Sequence, residues 1–431
     1  MSGATIQLVA VGAQDVYLTT QPQITYFKSV YRRHTNFAID SAEQTISGTP
    51  NFGSRISVTI FRSGDLLKNI WLQYNPQKML ASITPATEDD IVGANVGHSI
   101  ISQVDLEING QIIDTQYGKW MTIWNYLTEC DSTGIQGAVG PDWEEPGWYD
   151  SAVDYDAERS TRYNIMAYTH RANVSTGTIS EGYLPPNQAY VPFRFWFCRN
   201  PGLAIPIISL QYAEIKVLIT FGQANGVFKS INNTPPTGHE FDDLKVYADY
   251  IYLDSTERRQ FAQNSHEYLI EQLQVLNYQT TETTNLYFKH PVKEIIWSSS
   301  PEIVARGNPV GRTDFYNVVP GLGSPSKEMQ DSEYTLLLNG IPRTKRNLKY
   351  YTRNTVWDYH TGYGSILFPN SIAVYSFALR PEEFQPSGSC NFSRIDTAQL
   401  VRSTTDPIDI YATNINVLRI MSGTAGLAYV N

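Results

Sequence analysis

"VDLEINGQII", residues 104–113, and "YTLLLNGIPR", residues 334–343, place the same Asn-Gly pair after a run of strand-forming residues, 230 positions apart. In the first, Val104, Leu106 and Ile108 face one way and Asp105 and Glu107 the other. That alternation is the signature of a strand with one face on a core. Asn and Gly both tolerate positive φ, so each pair predicts a tight hairpin turn.

The same period recurs outward from these hairpins. Ile56, Val58 and Ile60 alternate with Ser57 and Thr59 in "RISVTI", and Ile215, Val217, Ile219 and Phe221 alternate in "AEIKVLITF". "FRFWFC" (193–198) reads as another strand, with Phe193, Phe195 and Phe197 set against Arg194, Trp196 and Cys198. "TQYGKWMTIWNYL" breaks the pattern: Tyr117, Trp120, Trp124 and Leu127 recur every three to four residues, which predicts a helix in a connection. A second pair of segments, "YVPFRFWFCRNPG" (190–202) and "IAVYSFALRPEEF" (372–384), also correspond. The chain therefore reads as two diverged copies of one all-β unit.

The turn-rich stretch "QANGVFKSINNTPPTGHE" (223–240) is the expected linker, after which strands resume with "LKVYADYIYLD", "EYLIEQLQVLNY", "TNLYFKH" and "VKEIIWS". The expected organisation is an N-terminal arm over 1–25, a first unit over 26–222, and a second over 241–431. Each unit carries one long excursion, 131–187 in the first and 299–331 in the second. Such lengths are too great for idle connections.

Composition narrows the function. With 32 Lys+Arg against 42 Asp+Glu the net charge is −10, which argues against a nucleic-acid coat or a polybasic membrane surface. The 28 Tyr, 17 Phe and 8 Trp favour strands and large interfaces. Cys130, Cys198 and Cys390 are odd in number and far apart, which suits a reducing compartment. The first residues lack the pattern of a cleaved signal, and no run approaches the roughly 20 apolar residues of a membrane span.

Catalytic signals are weak. Seven histidines are scattered without a zinc motif, and "GLGSPS" (321–326) lacks the third glycine of a dinucleotide loop. Cys390 in "GSCNFS" has no marked base partner. The acidic groups Glu88, Asp89, Asp90 and Asp150, Asp154, Asp156 lack a calcium-loop pattern and read as solvated faces. No enzyme, cofactor or metal is expected.

One stretch runs against the acidic whole: "QPQITYFKSVYRRHTNFAID" (21–40) interleaves Lys28, Arg32, Arg33 and His34 with aromatics including Tyr31. Ile24, Phe27, Val30 and Tyr31 fall at helical spacing after Gln21-Pro22, predicting a short helix with a basic C-terminal end. Packing under the first unit competes with contacts to an acidic partner; nucleic acid is disfavoured by the net charge.

In order along the chain, "IQLVAVGAQDVYLTTQPQITYFKSVYRRHTNFAI", "SGDLL", "DLEINGQ", "PGLAIPIISLQYAEIKV", "HEYLIEQLQ", "SFALRPEEFQPSGSCNFSRID" and "NVLRIMSGTAGLAY" closely resemble the major capsid proteins of large icosahedral double-stranded DNA viruses, of the algal-virus and giant-virus type. The resemblance implies two tandem eight-stranded antiparallel jelly rolls. It implies homotrimers of pseudo-hexagonal outline tiling the outer shell of a virion over an internal membrane, made and assembled in host cytoplasm. It implies minor capsid and penton proteins as further partners, with the membrane surface beneath and no direct contact with nucleic acid. On this likeness Lys28, Tyr31, Arg32 and Arg33 are candidates for contacts on the shell's interior. The loops about 79–97, 131–187 and 299–331 depart most and correspond to outward towers. Glycosylation is a property of related proteins, and the weak sequon candidates here are Asn173, Asn232 and Asn391. A competing reading is a glycan-binding jelly roll with Trp143, Trp148 and Tyr149 as its platform; a cupin-like enzyme is disfavoured by the absent histidine motif.

Overall fold

Both Asn-Gly pairs are tight turns with positive φ at each position: 53° and 78° at Asn109 and Gly110, 50° and 75° at Asn339 and Gly340. Each closes a hairpin, and from the two hairpins the architecture can be followed outward. The computed structural model describes residues 3–81, 91–93, 96–129, 166–167, 172–175, 178–179, 187–223, 228–230, 241, 243–299, 329–362 and 370–429.

The first lobe contains β1 (Phe37–Gln44), β2 (Arg55–Thr59), β3 (Leu66–Tyr74), β4 (Ile101–Ile108), β5 (Gln111–Tyr117), β6 (Ala189–Pro192), β7 (Ile215–Phe221) and β8 (Lys245–Leu253). They form two sheets, β1-β8-β3-β6 and β2-β7-β4-β5, with Ile46–Ser47 added outside β2. The second lobe contains β9 (His266–Gln279), β10 (Thr283–Asn285), β11 (Pro291–Ser299), β12 (Glu333–Leu338), β13 (Ile341–Asn347), β14 (Ile372–Ser376), β15 (Ala398–Arg402) and β16 (Ile408–Met421). Its sheets run β9-β16-β11-β14 and β10-β15-β12-β13. The two orders coincide position by position, so the fold is two tandem antiparallel jelly rolls. Among the described residues short helices accompany the strands, among them α1 (Gly3–Val9), α2 (Gly118–Thr128), α3 (Trp196–Arg199), α4 (Ser255–Gln263) and α5 (Thr355–Tyr359), the last preceded by a π turn over Tyr350–Asn354.

Register follows the alternation. Val217 in β7 lies opposite Val58 and Leu106 on its two sides, and all three are buried. The second lobe has its own core, built around Trp297, Tyr334 and Tyr351, whose rings pack at 5.1–6.5 Å.

Three expectations change. First, "LKVYADYIYLD" is not the opening strand of the second lobe. β8 lies between β1 and β3, with Ala38 opposite Tyr252 and Val246 opposite Leu72. The sandwich is incomplete without this strand, so the turn-rich 223–240 stretch is an excursion within the first lobe. Its segment Phe228–Ser230 joins Ile91–Gly93, Ala172–Ser175 and Thr178–Ile179 in a separate four-stranded sheet. Second, "FRFWFC" leaves the sheet after Pro192 and turns into α3. Trp196 is buried alongside Phe193, Phe195 and Phe197. A segment covered on every side carries no usable period, and its apparent alternation misleads.

Third, residues 24–31 are not helical. The chain there consists of a turn, a bend and irregular backbone, with Gln21 at φ 55° just before it. Ile24, Phe27, Val30 and Tyr31 are all exposed. β-branched and aromatic residues are mediocre helix formers, and without a surface to pack on their spacing cannot hold a helix. Residues Met1–Asn36 separate as one unit, and Phe37–Asn431 form the other.

Candidate functional site

β11 is buried along nearly its whole length, on both faces. Ile295 and Trp297 point into the second lobe's own core, whereas Ile296 points the opposite way. Ile296 meets a third apolar cluster, in which Trp120, Ile123, Trp124 and Leu127 of α2 pack on Val374 of β14, Tyr411 of β16 and Val356 of α5. The helical stripe read from the sequence is thus the first lobe's contribution to a joint between lobes. Trp120 sits 5.4 Å from the Tyr411 ring and 5.7 Å from Trp124.

Polar contacts surround this cluster. The backbone N–H of Leu273 in β9 donates to Asp114 Oδ1 of β5 at 3.0 Å, and Gln272 donates to the carbonyl of Ile113. Burial raises the Asp114 carboxyl to about 6, against the hydrogen bonds from Gln116 and Leu273 that favour its charge. Lys119 of α2 reaches Asp409 of β16 and donates to the carbonyl of Ser299 at 2.9 Å. Arg199 of α3 pairs with Glu271 of β9 at 2.8 Å while its guanidinium lies 4.8 Å from the Trp124 ring centre. Lys293, itself buried, contacts the same Glu271.

The corner after α5 is the most charged part of the joint. His360 Nε2 lies 3.1 Å from Glu294 Oε2, and Nδ1 lies 3.0 Å from Glu382 Oε1. The His360 and Glu294 side chains are both fully buried. Burial alone lowers the imidazole pKa, but the two carboxylates outweigh it and hold the value at about 9. The next two residues cross to the first lobe: Gly362 N–H donates to the carbonyl of Leu127 at 2.7 Å, and Thr361 Oγ1 lies 3.2 Å from that of Thr128. His98 is the opposite case: buried in the first lobe with Thr122 Oγ1 at 2.8 Å, it is pushed down to about 3 by burial and by Arg194, and so is neutral.

Sequence reasoning missed His360, Glu294, Lys293, Glu271 and Arg199. The available signal was "VKEIIWS", where adjacent Lys293 and Glu294 sit in an otherwise apolar run. Strand alternation should have sent one of them to solvent, and both are buried because both faces of β11 are covered.

The residues singled out in the sequence lie elsewhere. Lys28, Tyr31, Arg32 and Arg33 are exposed in the N-terminal unit. Trp143, Trp148, Tyr149, Asn232, Cys130 and the acidic groups at 88–90 and 150–156 fall outside the described residues. Asn173 lies in the strand Ala172–Ser175. Asn391 is exposed, its Oδ1 accepting from Ser393 N–H at 3.0 Å. Cys390 pairs with β11 opposite Val292, and burial raises its thiol pKa; burial pushes Cys198 up to about 12. Neither is poised as a thiolate nucleophile. Among the described residues no three His, Cys, Asp or Glu side chains gather as metal ligands.

Comparison with known proteins agrees with this architecture. The family described as "Major capsid protein N-terminus" matches residues 25–254, and "Large eukaryotic DNA virus major capsid protein" matches residues 257–426. The division falls after β8, where the sheets place it. The chain is 39% identical to the major capsid protein of Pyramimonas orientalis virus and 34% identical to that of Paramecium bursaria Chlorella virus 1, each over 100% of both chains. A chain of the PBCV-1 virus capsid, in a quasi-atomic description, superposes with a TM-score of 0.67 at 30% identity, covering 94% of this chain and 100% of that one. The Faustovirus major capsid protein shares the fold at 15% identity and a TM-score of 0.65, covering 95% and 94%. This chain belongs to the family of major capsid proteins of large eukaryotic DNA viruses.

Proposed function

We propose that the chain forms homotrimeric, pseudo-hexagonal capsomers that tile the outer icosahedral shell of a large double-stranded DNA virus. The observation that carries this is the joint: two lobes of one topology are locked side by side by α2, β5 and β9, so each chain supplies two equivalent blocks at a fixed angle. Three such chains supply six blocks, which suits a lattice of near-hexagonal tiles. In this reading the chain's work is geometric rather than catalytic, and it is synthesised and assembled in host cytoplasm.

The N-terminal unit is proposed to face the shell's interior. Lys28, Arg32 and Arg33 stand exposed beside Tyr31, so the cationic edge suits the acidic surface of a minor capsid or penton protein, or the internal membrane. Light scattering on the purified chain tests the first proposal: a mass three times that of the chain is expected, and a monomer at micromolar concentration overturns it. Charge reversal at Lys28, Arg32 and Arg33 tests the second. Trimers are expected to persist while shells fail to assemble, and normal shells overturn it.

A further inference from the structure

Three buried polar atoms at the joint make no hydrogen bond among the described residues: Trp196 Nε1, Arg199 Nε and Glu271 Oε2. Trp196 opens α3 and Arg199 closes it on the first lobe, while Glu271 stands on β9 of the second. Arg199 does approach Glu271 Oε2 at 2.8 Å, but as an ion pair without the alignment of a hydrogen bond. Buried donors and acceptors are paired in nearly all folded proteins. Two donors and an acceptor left over on facing elements call for a partner that the chain does not supply.

All three residues line one cleft between the lobes, of about 110 Å³, with an adjoining recess of about 10 Å³. The recess holds at most one water, which needs roughly 10–15 Å³. The cleft is far larger, and an apolar cavity of about 150 Å³ is enough for benzene, so it has room for a molecule of about six heavy atoms. Its walls divide by chemistry. On the first lobe, Asn200 adds a further donor: its Oδ1 accepts from Gly202 N–H at 2.8 Å, which leaves its NH2 group over. On the second lobe, Glu382 and Glu383 join Glu271 and add acceptor oxygens. Leu203 from one side and Phe384 from the other supply apolar surface.

Charge restricts the occupant. Glu271 already holds Arg199 and Lys293, Glu382 holds His360, and Glu383 holds Arg380 at 3.1 Å. Each carboxylate on the cleft has its cation, so an incoming ion breaks a pair rather than completing one. A neutral hydroxyl fits instead, because it accepts from an N–H and donates to a carboxylate at the same time.

We propose that this cleft binds a small neutral polyol, whose hydroxyls accept from Trp196 and Arg199 and donate to Glu271 across the joint. Such a molecule bonds both lobes at once and adds a link between them that the chain alone does not make. A few well-placed polar groups against an apolar wall are the usual make-up of a small-molecule site. The proposal is independent of how copies of the chain assemble.

Glycerol, with three hydroxyls and six heavy atoms, is the probe, and the indole N–H resonance of Trp196 is the readout. Isotope labelling of tryptophan alone gives eight indole signals at most, and Trp196→Phe identifies the one that matters. Titration is expected to move that signal saturably, with half-saturation at about 10 mM, and to leave the other indoles in place. Leu203→Trp fills the cleft and is expected to abolish the saturable shift. Polyols also act on every protein by exclusion from its surface. All indoles drifting together without saturation, or no movement at Trp196, overturns the site and leaves it to water. Saturation that survives in folded Leu203→Trp places the binding elsewhere and overturns it as well. Should Leu203→Trp not fold, Phe384→Ala takes its place at a position that is 49% exposed. It is expected to weaken binding about fivefold through lost apolar contact, and an unchanged half-saturation overturns the cleft. Acetate and ethylammonium, charged and of similar size, are expected to bind more weakly than glycerol. Equal or tighter binding of either overturns the neutral class.

Discussion

Replacing His360 by Gln removes the cation between two carboxylates and keeps the approximate volume. Glu294 is fully buried on β11, and apart from His360 its neighbour is the Thr413 hydroxyl at 3.3 Å. Glu382 is better supplied, accepting from Thr361 N–H at 2.9 Å and Thr361 Oγ1 at 2.8 Å. Raising the imidazole from 6.5 to about 9 amounts to a preference of about 3 kcal/mol for the charged form in the folded state. Because the folded value lies above the unfolded one, this stabilisation is complete below pH 6.5 and disappears as the pH climbs through about 9. His360→Gln is therefore expected to be less stable than wild type by about 3 kcal/mol at pH 6 and nearly equal to it at pH 10.

Denaturant unfolding of both proteins from pH 6 to 10 reads the difference, and hydrogen exchange at Thr361 and Gly362 locates it. The Gly362 amide should lose protection in the variant at pH 6, because the corner it belongs to is anchored by Glu382 and His360. A stability difference that stays constant with pH, or that grows on the alkaline side, refutes the charged-imidazole account.

Asp114→Asn tests the other side of the joint: the wild-type carboxyl, raised by burial to about 6, loses stability between pH 3.8 and 6, so the variant should gain relative to wild type across that window in the same unfolding assay. Trp120→Ala empties the centre of the cluster between lobes and should cost about 3–5 kcal/mol, read as a lower unfolding midpoint. Gly362→Ala should be severely destabilising in thermal unfolding, because a Cβ there falls 2.5 Å from the carbonyl oxygen of Tyr126 and 2.6 Å from that of Leu127. Gly340→Ala meets no neighbour, yet φ of 75° should still cost about 1–2 kcal/mol through the backbone alone.

Legibility in the sequence tracked whether one face of an element meets water. "AEIKVLITF" alternates in the structure as it does on paper, because β7 has a buried and a half-buried face. The Asn-Gly turns were legible because their requirement is local. "TQYGKWMTIWNYL" was legible as a helix, but not its target, since periodicity records that a stripe is covered and not by what. "FRFWFC" failed as a strand, and "VKEIIWS", legible as a strand, hid its buried Lys293 and Glu294, in both cases where both faces are covered. The helix expected over 24–31 failed for the reverse reason, because spacing without a packing surface is no signal. The boundary error at β8 has a topological cause: a jelly roll's last strand returns to lie beside its first, and no local residue announces that return.

The joint combines two kinds of contact that constrain the angle between lobes differently. Apolar burial at Trp120, Trp124 and Tyr411 supplies attraction but little direction, because it scales with area rather than angle. Two sheets held by that term alone can slide or rotate at small cost. Buried charges behave differently: a pair adds little when made, but breaking it strands an ion in a low-dielectric interior at about 3–5 kcal/mol. Lys119–Asp409, Arg199–Glu271 and His360 between Glu294 and Glu382 are spread over α2, α3, β9, β11, β16 and the corner after α5. A rotation of one lobe against the other breaks Lys119–Asp409 and Arg199–Glu271 together. His360, held between Glu294 and Glu382 within the second lobe, anchors the corner whose Gly362 N–H bonds the carbonyl of Leu127 in the first, so these contacts resist rotation where apolar area does not. For an enzyme domain such rigidity between lobes is incidental. If three copies close a ring as proposed, an error at the joint would be repeated at every contact between them, and the cross-lobe charged pairs would suppress it.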